Sequence, residues 1–345
     1  MCMSRPIFFL SSLLLLAFGC TKKVYVSVMK PALINVPQQV KTVALINRTI
    51  PESKVANILE GILTAETPGE DKEGANQALI GLNNALLNSP RFEVKLTDVK
   101  LKGSGSGGVL PNPLAWSEVE KICQTYSAEA IVSLETYDSD FLVTNTSKIV
   151  NKTENGQTRK VTEYYAKGVA TVKMGFRFYD PKLKTIADQY NFTYANTWSA
   201  SGSNPAAALA GLIMKNVAVN RVSNAAGAVY ASRIAPTWVT ESRKFYKKSH
   251  GNTSLSMGFR RAMVRDYAGA EEAWKTVIQT SHGKTAGKAA YNLAVACEIQ
   301  GKLDEAKKWI IKSYSDYALK KARKFSPVID QRIWERDQLQ EQLGE

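Results

Sequence analysis

The sequence predicts two domains of different class: an α/β (α+β) sandwich domain with a mixed sheet, followed by an all-α domain of helical repeats. Three observations carry this reading. Between Val43 and Leu134, short apolar strands alternate with amphipathic helices, the order of an α/β layer structure. From Gly168 to Trp198, apolar residues recur at every second position on both sides of a turn, which predicts an antiparallel hairpin. Beyond His250 only helical periodicity remains, and it recurs at a fixed spacing. The chain has 345 residues, room for two domains at about 100–200 residues each. The expected boundaries are 1–19 for a signal peptide, 20–249 for the α/β domain, and 250–345 for the repeats with a C-terminal capping helix.

The N-terminus sets the expected compartment. Arg5 is followed by the apolar runs Ile7 to Leu10 and Leu13 to Leu16, then Gly19-Cys20 and at once Thr21-Lys22-Lys23. A positive start followed by roughly a dozen apolar residues is a signal peptide, too short for a spanning helix. The junction resembles the lipobox of bacterial lipoproteins, with Phe18 departing from the small residue usual at its place. That resemblance implies that Cys20 becomes the lipidated first residue of the mature chain; the alternative is a plain secretory signal. Of the remaining cysteines, Cys123 and Cys297 each fall within a helical pattern and read as buried small hydrophobes.

Val24, Val26 and Val28 alternate as a strand, and Val43 to Ile46 reads as a central strand buried on both faces. Ala75, Leu79, Leu82, Leu86 and Leu87 mark one face of a helix. Phe92 to Leu96 alternates as a strand, Trp116, Val119, Ile122 and Cys123 mark a second helix, and Ala130 to Leu134 a further strand. In the hairpin, Ala170, Val172, Met174, Phe176 and Phe178 share one face, Asp180 to Lys184 form the turn, and Tyr190, Phe192, Tyr194 and Trp198 return. Asn204-Pro205 reads as an N-cap and first helical residue. The helix expected from there to Pro236 is rich in Ala and Gly, which lets it lie close against a sheet.

The C-terminal repeat rests on residue pairs 36 positions apart: Gly258 with Ala294, Ala270 with Ala306, and Trp274 with Ile310. Small residues at helix crossings beside large fillers, at this spacing, resemble tetratricopeptide repeats, whose unit is about 34 residues. Arg261 and Cys297 stand where that family commonly has an aromatic. The segment carrying Val328, Ile329, Ile333, Trp334 and Leu339 is the expected cap.

Little catalytic chemistry is on offer. Gly103 to Gly108 spells a GxGxxG pattern, but Pro111 and Pro113 forbid the helix that a dinucleotide site needs directly behind it. Asp138, Asp140 and Glu135 read as solvated acids where a strand leaves the sheet, and His250 and His282 as solvated loop residues. The reading is therefore of no catalytic site, no metal site and no cofactor. The basic stretch Arg243 to Lys248 reads either as a solvated linker or as a patch for an anionic partner. A formal net charge of +14, from 45 Lys and Arg against 31 Asp and Glu, fits an anionic envelope surface. Nucleic acid is excluded as a partner because an exported protein rarely meets it.

Cys20, Lys30-Pro31-Ala32, Val36-Pro37, the run Val43 to Arg48, and Gly74 to Leu79 with Gly81-Leu82 together resemble a lipoprotein family of Bacteroidota that ends in tetratricopeptide-like repeats and has no assigned biochemical role. By order of elements, residues 40–240 are similar to the α/β domain of the TolB N-terminal region, curli-secretion lipoproteins and penicillin-binding-protein activators. The combined expectation is a non-catalytic envelope scaffold or adaptor, lipid-anchored in the outer membrane on its periplasmic face. It would bind envelope protein partners through its helical repeats. The alternative is an oligomeric outer-membrane secretion or transport component, a homo-oligomer, that inserts the 168–198 hairpin.

Overall fold

The computed structural model describes residues 21–51, 70–103, 109–249 and 251–344. Two compact units emerge: an α/β unit of residues 29–239 with 336–345, and a helical unit of residues 240–335 with the N-terminal residues up to Val28. The α/β class followed by a helical region is the class read from the sequence.

The α/β unit is built on one five-stranded sheet. Its strands are β2 (Thr42–Pro51), β3 (Glu93–Gly103), β4 (Ala130–Glu154), β5 (Gln157–Asp180) and β6 (Thr185–Gly202), in the order β3-β2-β4-β5-β6. Strand β2 runs parallel to β3 and β4, while β4, β5 and β6 form an antiparallel meander. Strand β2 shows why the layers fall where they do. Val43 and Leu45 enter a core under helices α1 (Glu70–Leu87) and α4 (Lys215–Ile234), while Ala44 and Ile46 enter a second core under α2 (Trp116–Tyr126). A strand apolar on both faces must be covered twice, and the chain supplies one helical layer per face.

In β5, Ala170, Val172, Met174, Phe176 and Phe178 are fully buried beneath α1 and α4. Phe176 stacks on Tyr230 of α4 at 4.2 Å. Phe192, Tyr194 and Trp198 of β6 pack at the margin of the same core. The Asp180 carboxylate accepts from the Leu183 amide at 3.0 Å and closes the expected turn.

Three expectations need correction. The strand read as ending near Asp138 continues to Glu154 and turns back at Asn155-Gly156, both at positive φ; polar side chains on both faces hid it. The helix read as running from Pro205 to Pro236 is two: α3 (Pro205–Ala210), capped as expected by Asn204 onto the Ala207 amide, and α4. The break brings Leu212 over Gly168. The small residues of α4 also serve a helix as well as the sheet. Gly81 of α1 and Gly227 of α4 sit where an added Cβ would fall 1.9 Å from the carbonyl oxygens of Asn224 and Ala78, so the two backbones touch.

The helical unit contains α5 (Thr253–Met263), α6 (Tyr267–Thr280), α7 (Gly283–Ile299), α8 (Leu303–Ser315) and most of α9 (Lys320–Leu343). It also holds most of a two-stranded sheet of β1 (Thr21–Lys30) and β7 (Thr237–Tyr246). Asn252 and Asp266 cap α5 and α6 by accepting from the Leu255 and Gly269 amides. Ile329 of α9 is buried with the repeat core and Val328 and Ile333 pack beside it, whereas Trp334 is exposed. From Arg336 onward α9 groups with the α/β unit, where the Gln342 amide exchanges two hydrogen bonds with the Ala32 backbone.

Among the described residues each unit holds one buried free thiol, Cys123 or Cys297. Burial, then the charge of Asp180, pushes Cys123 up to about 11, so at pH 8 its alkylation requires opening of the α/β unit. Gly227→Val should destabilise this unit by about 1–3 kcal/mol through overpacking, read as faster alkylation of Cys123. Val229→Ala, on the exposed side of α4, should stay within about 0.5 kcal/mol.

Candidate functional site

The sequence-derived repeat residues occupy one core. Ala270, Trp274, Ala294, Ala306 and Ile310 are fully buried together. Gly258 faces the Trp274 indole, with an added Cβ falling 2.5 Å from Nε1, and that indole donates to the Leu255 carbonyl at 3.3 Å. Cys20, His250 and residues 104–108 of the glycine-rich stretch lie outside the described residues. Residues 109–115 are not helical and α2 begins only at Trp116. His282 is exposed at the start of α7.

The acids near Asp138 are dispersed. Asp138 pairs with Lys173 across the sheet at 3.2 Å, the Ser139 hydroxyl donates to Asp71 at 2.7 Å, and Asp140 is exposed. Among the described residues, no three His, Cys, Asp or Glu side chains gather as a metal site. Glu135 is not solvated as expected but wholly buried. Its Oε2 accepts from Arg48 at 2.8 Å and lies 3.6 Å from Arg177; its Oε1 accepts from the Tyr179 hydroxyl at 2.8 Å. The same arginines donate to the carbonyls of Asn112 and Pro111, and the Tyr179 oxygen accepts from the Leu114 amide. Burial, followed by the Glu135 charge, pushes the Tyr179 phenol up. The cluster fastens the segment before α2 to the sheet.

The recognition geometry lies in the helical unit, on a segment read as linker or basic patch. Residues Arg243 to Tyr246 are the end of strand β7, and its alternation turns Arg243 and Phe245 inward while Lys244 faces out. The Asn292 side chain on α7 accepts from the Tyr246 amide at 2.8 Å and donates to the Tyr246 carbonyl at 2.9 Å. It thus pairs with an extended backbone as a neighbouring strand would. Arg243 forks onto the Glu298 carboxylate, with Nε at 2.7 and 2.9 Å and Nη2 at 2.6 Å. Phe245 stacks on Trp274 at 5.5 Å, and Tyr246 sets its edge against Tyr291 at 5.4 Å. Thr285, Lys288 and Asn292 form a stripe at helical spacing, Glu298 follows further along α7, and each of the four meets the segment 243–249. Buried residues run almost without interruption from Ala286 to Glu298 of α7. One face of α7 is therefore filled by the chain's own strand. The signal in sequence was Phe245-Tyr246 beside Arg243, masked by the surrounding lysines.

Glu298→Ala leaves the Arg243 guanidinium buried without its fork, and a broken buried pair costs about 3–5 kcal/mol. The helical unit should lose stability of that order, read by alkylation of Cys297, whose thiol burial pushes up to about 12. Lys275→Ala, an exposed partner of Glu271 on α6, should change it by less than about 0.5 kcal/mol.

Comparisons with known proteins add the following. No curated protein matches the chain. Among solved structures it is similar to the putative neuraminyllactose-binding hemagglutinin homolog from Helicobacter pylori, at 12% identity and a TM-score of 0.25, covering 68% of this chain and 94% of that one. It is also similar to the hypothetical protein CT253 from Chlamydia trachomatis, at 12% identity and a TM-score of 0.20, covering 56% and 97%. Residues 256–333 match a second family model, Domain of unknown function (DUF6340). Residues 40–246, more than half of the chain, match the model described as Domain of unknown function (DUF8603), and the chain belongs to that family.

Proposed function

We propose that the protein is a non-catalytic scaffold or adaptor of the cell envelope, lipid-anchored through Cys20 in the outer membrane on the periplasmic face, that binds protein partners through its helical unit. The observation that carries the reading is the seating of β7 on α7. The helical unit already holds an extended backbone by the Asn292 amide, an arginine fork and two aromatic contacts, which are the elements of peptide recognition. A second support is that three buried carboxylates are committed to structure: Glu135 to Arg48, Asp188 to Arg233 and Glu298 to Arg243. The secretion alternative would require the 168–198 hairpin to withdraw Ala170, Val172, Met174, Phe176 and Phe178 from the core they fill. That exposure costs about 1.5–3 kcal/mol for each large side chain.

The anchor is tested by metabolic labelling with palmitate and fractionation in the bacterium that makes the protein. The native chain should carry label and sediment with outer membranes, and Cys20→Ser should lose both. Cys20→Ser protein that remains in the membrane fraction and resists carbonate extraction would instead support insertion. The adaptor role is tested by crosslinking in membranes and affinity purification of the intact chain and of a chain ending before Asn252. Partners retained equally by both would remove the helices α5 to α9 from the proposal.

A further inference from the structure

We propose that the edge of β1 at Val24 to Ser27, opposite the one that pairs with β7, is a docking site for an extended acidic peptide segment of a partner protein, which adds as a third strand there. The inference rests on the adaptor reading and names the partner chemistry that the helical unit would take. Strand β1 pairs with β7 in a two-stranded sheet and has no strand on its second edge among the described residues. A groove of about 440 Å³ is lined by four consecutive β1 residues, Val24 to Ser27. Successive side chains of a strand point to opposite faces, so a groove touched by four in a row reaches the edge of the strand. Ala262, Met263, Arg265 and Tyr267 around the α5–α6 turn, Ile299 from the end of α7 and the buried Phe245 of β7 form the rest of the lining. An edge strand of this kind is a template for strand addition.

Charge names the occupant. Arg265 lines the groove and is exposed, and Lys22, Lys23 and Arg260 are exposed on β1 and α5. Arg265 also sits in a turn that favours glycine. Its φ is +64°, and the residue 36 positions later, in the matching turn of the next repeat, is Gly301 with φ +76°. A left-handed backbone disfavours any side chain with a Cβ, so the first repeat carries strain that its successor avoids, and what it displays is a guanidinium on the groove. A guanidinium beside a row of backbone donors and acceptors fits a carboxylate borne on an extended chain.

The test uses the full-length chain in mild detergent and three fluorescein-labelled octapeptides. One is acidic, Thr-Val-Glu-Val-Thr-Val-Glu-Val; the second has Lys for Glu; the third has Pro for its two central residues. Fluorescence anisotropy should show binding of the acidic peptide only, with amide exchange slowed at residues 24–27. Arg265→Gly keeps the turn in its preferred backbone and should weaken binding about tenfold. Equal binding of the three peptides, no binding of the acidic one, or unchanged affinity of Arg265→Gly would overturn the proposal. So would a concentration-dependent dimer protecting residues 24–27 without peptide, which would make a second copy the occupant. Loss of the peptide site with membrane crosslinks intact would reject this site alone; loss of the crosslinks to the helical unit would reject the adaptor reading itself.

Discussion

A buried guanidinium must find acceptors for five N–H groups, and that demand locates the least regular parts of this chain. Arg48 and Arg177 converge on Glu135 and with their remaining donors hold the carbonyls of residues 111 and 112. Arg233, near the end of α4, forks onto Asp188 of the edge strand β6 and lies over the Tyr190 ring at 4.1 Å. Arg91 donates to the carbonyls of Val36, Pro37 and Val40 and so fixes the segment before β2. Burial lowers its pKa, and the charge of Glu129 pulls it back up. Arg243 fixes β7 through Glu298. In each case an irregular segment or an outer strand is tied down by an arginine that cannot leave without stranding the carboxylate or carbonyls it serves.

This changes the meaning of the basic composition. A net charge of +14 invites a search for an anionic surface, yet Arg48, Arg91, Arg177 and Arg243 are interior residues. Part of the excess is structural. Lys22, Lys23, Arg260 and Arg265 remain exposed on the helical unit, while Lys148, Lys152, Arg159 and Lys160 are exposed on the outer part of the β4–β5 hairpin.

What could be read from sequence follows from where burial imposes a period. Strand β2, the even positions of β5 and the 36-residue pairs were legible because each residue there meets a core, and a core leaves a periodic apolar trace. The outer part of the β4–β5 hairpin left none, since Ser147 to Thr162 are solvated on both faces; only the Asn155-Gly156 turn marked it. The division at Gly211 was invisible because alanine serves equally inside either helix. The Glu135 cluster joins Arg48 to a residue 87 positions away, and such a pair has no local signature. Segment 243–246 was misread for a sharper reason: charge was taken as a sign of solvent, when an arginine with a buried carboxylate waiting on α7 belongs inside.

The seating of β7 also limits how a partner can use the helical unit. A segment tethered within the same chain competes at an effective concentration that is of millimolar order for short linkers. Displacing β7 would also pull Arg243 off Glu298 and leave that buried carboxylate without its partner. A free peptide with comparable contacts cannot win that exchange at ordinary concentration. The repeats therefore do not work as an empty groove. With its inner face committed, the unit presents the strand pair β1 and β7 in place of a bare helix face, and the surface open to an extended partner is a strand edge. That edge starts at Thr21, one residue after the cysteine proposed to carry the lipid. On that reading a partner pairing with β1 would be held within a few residues of the membrane surface.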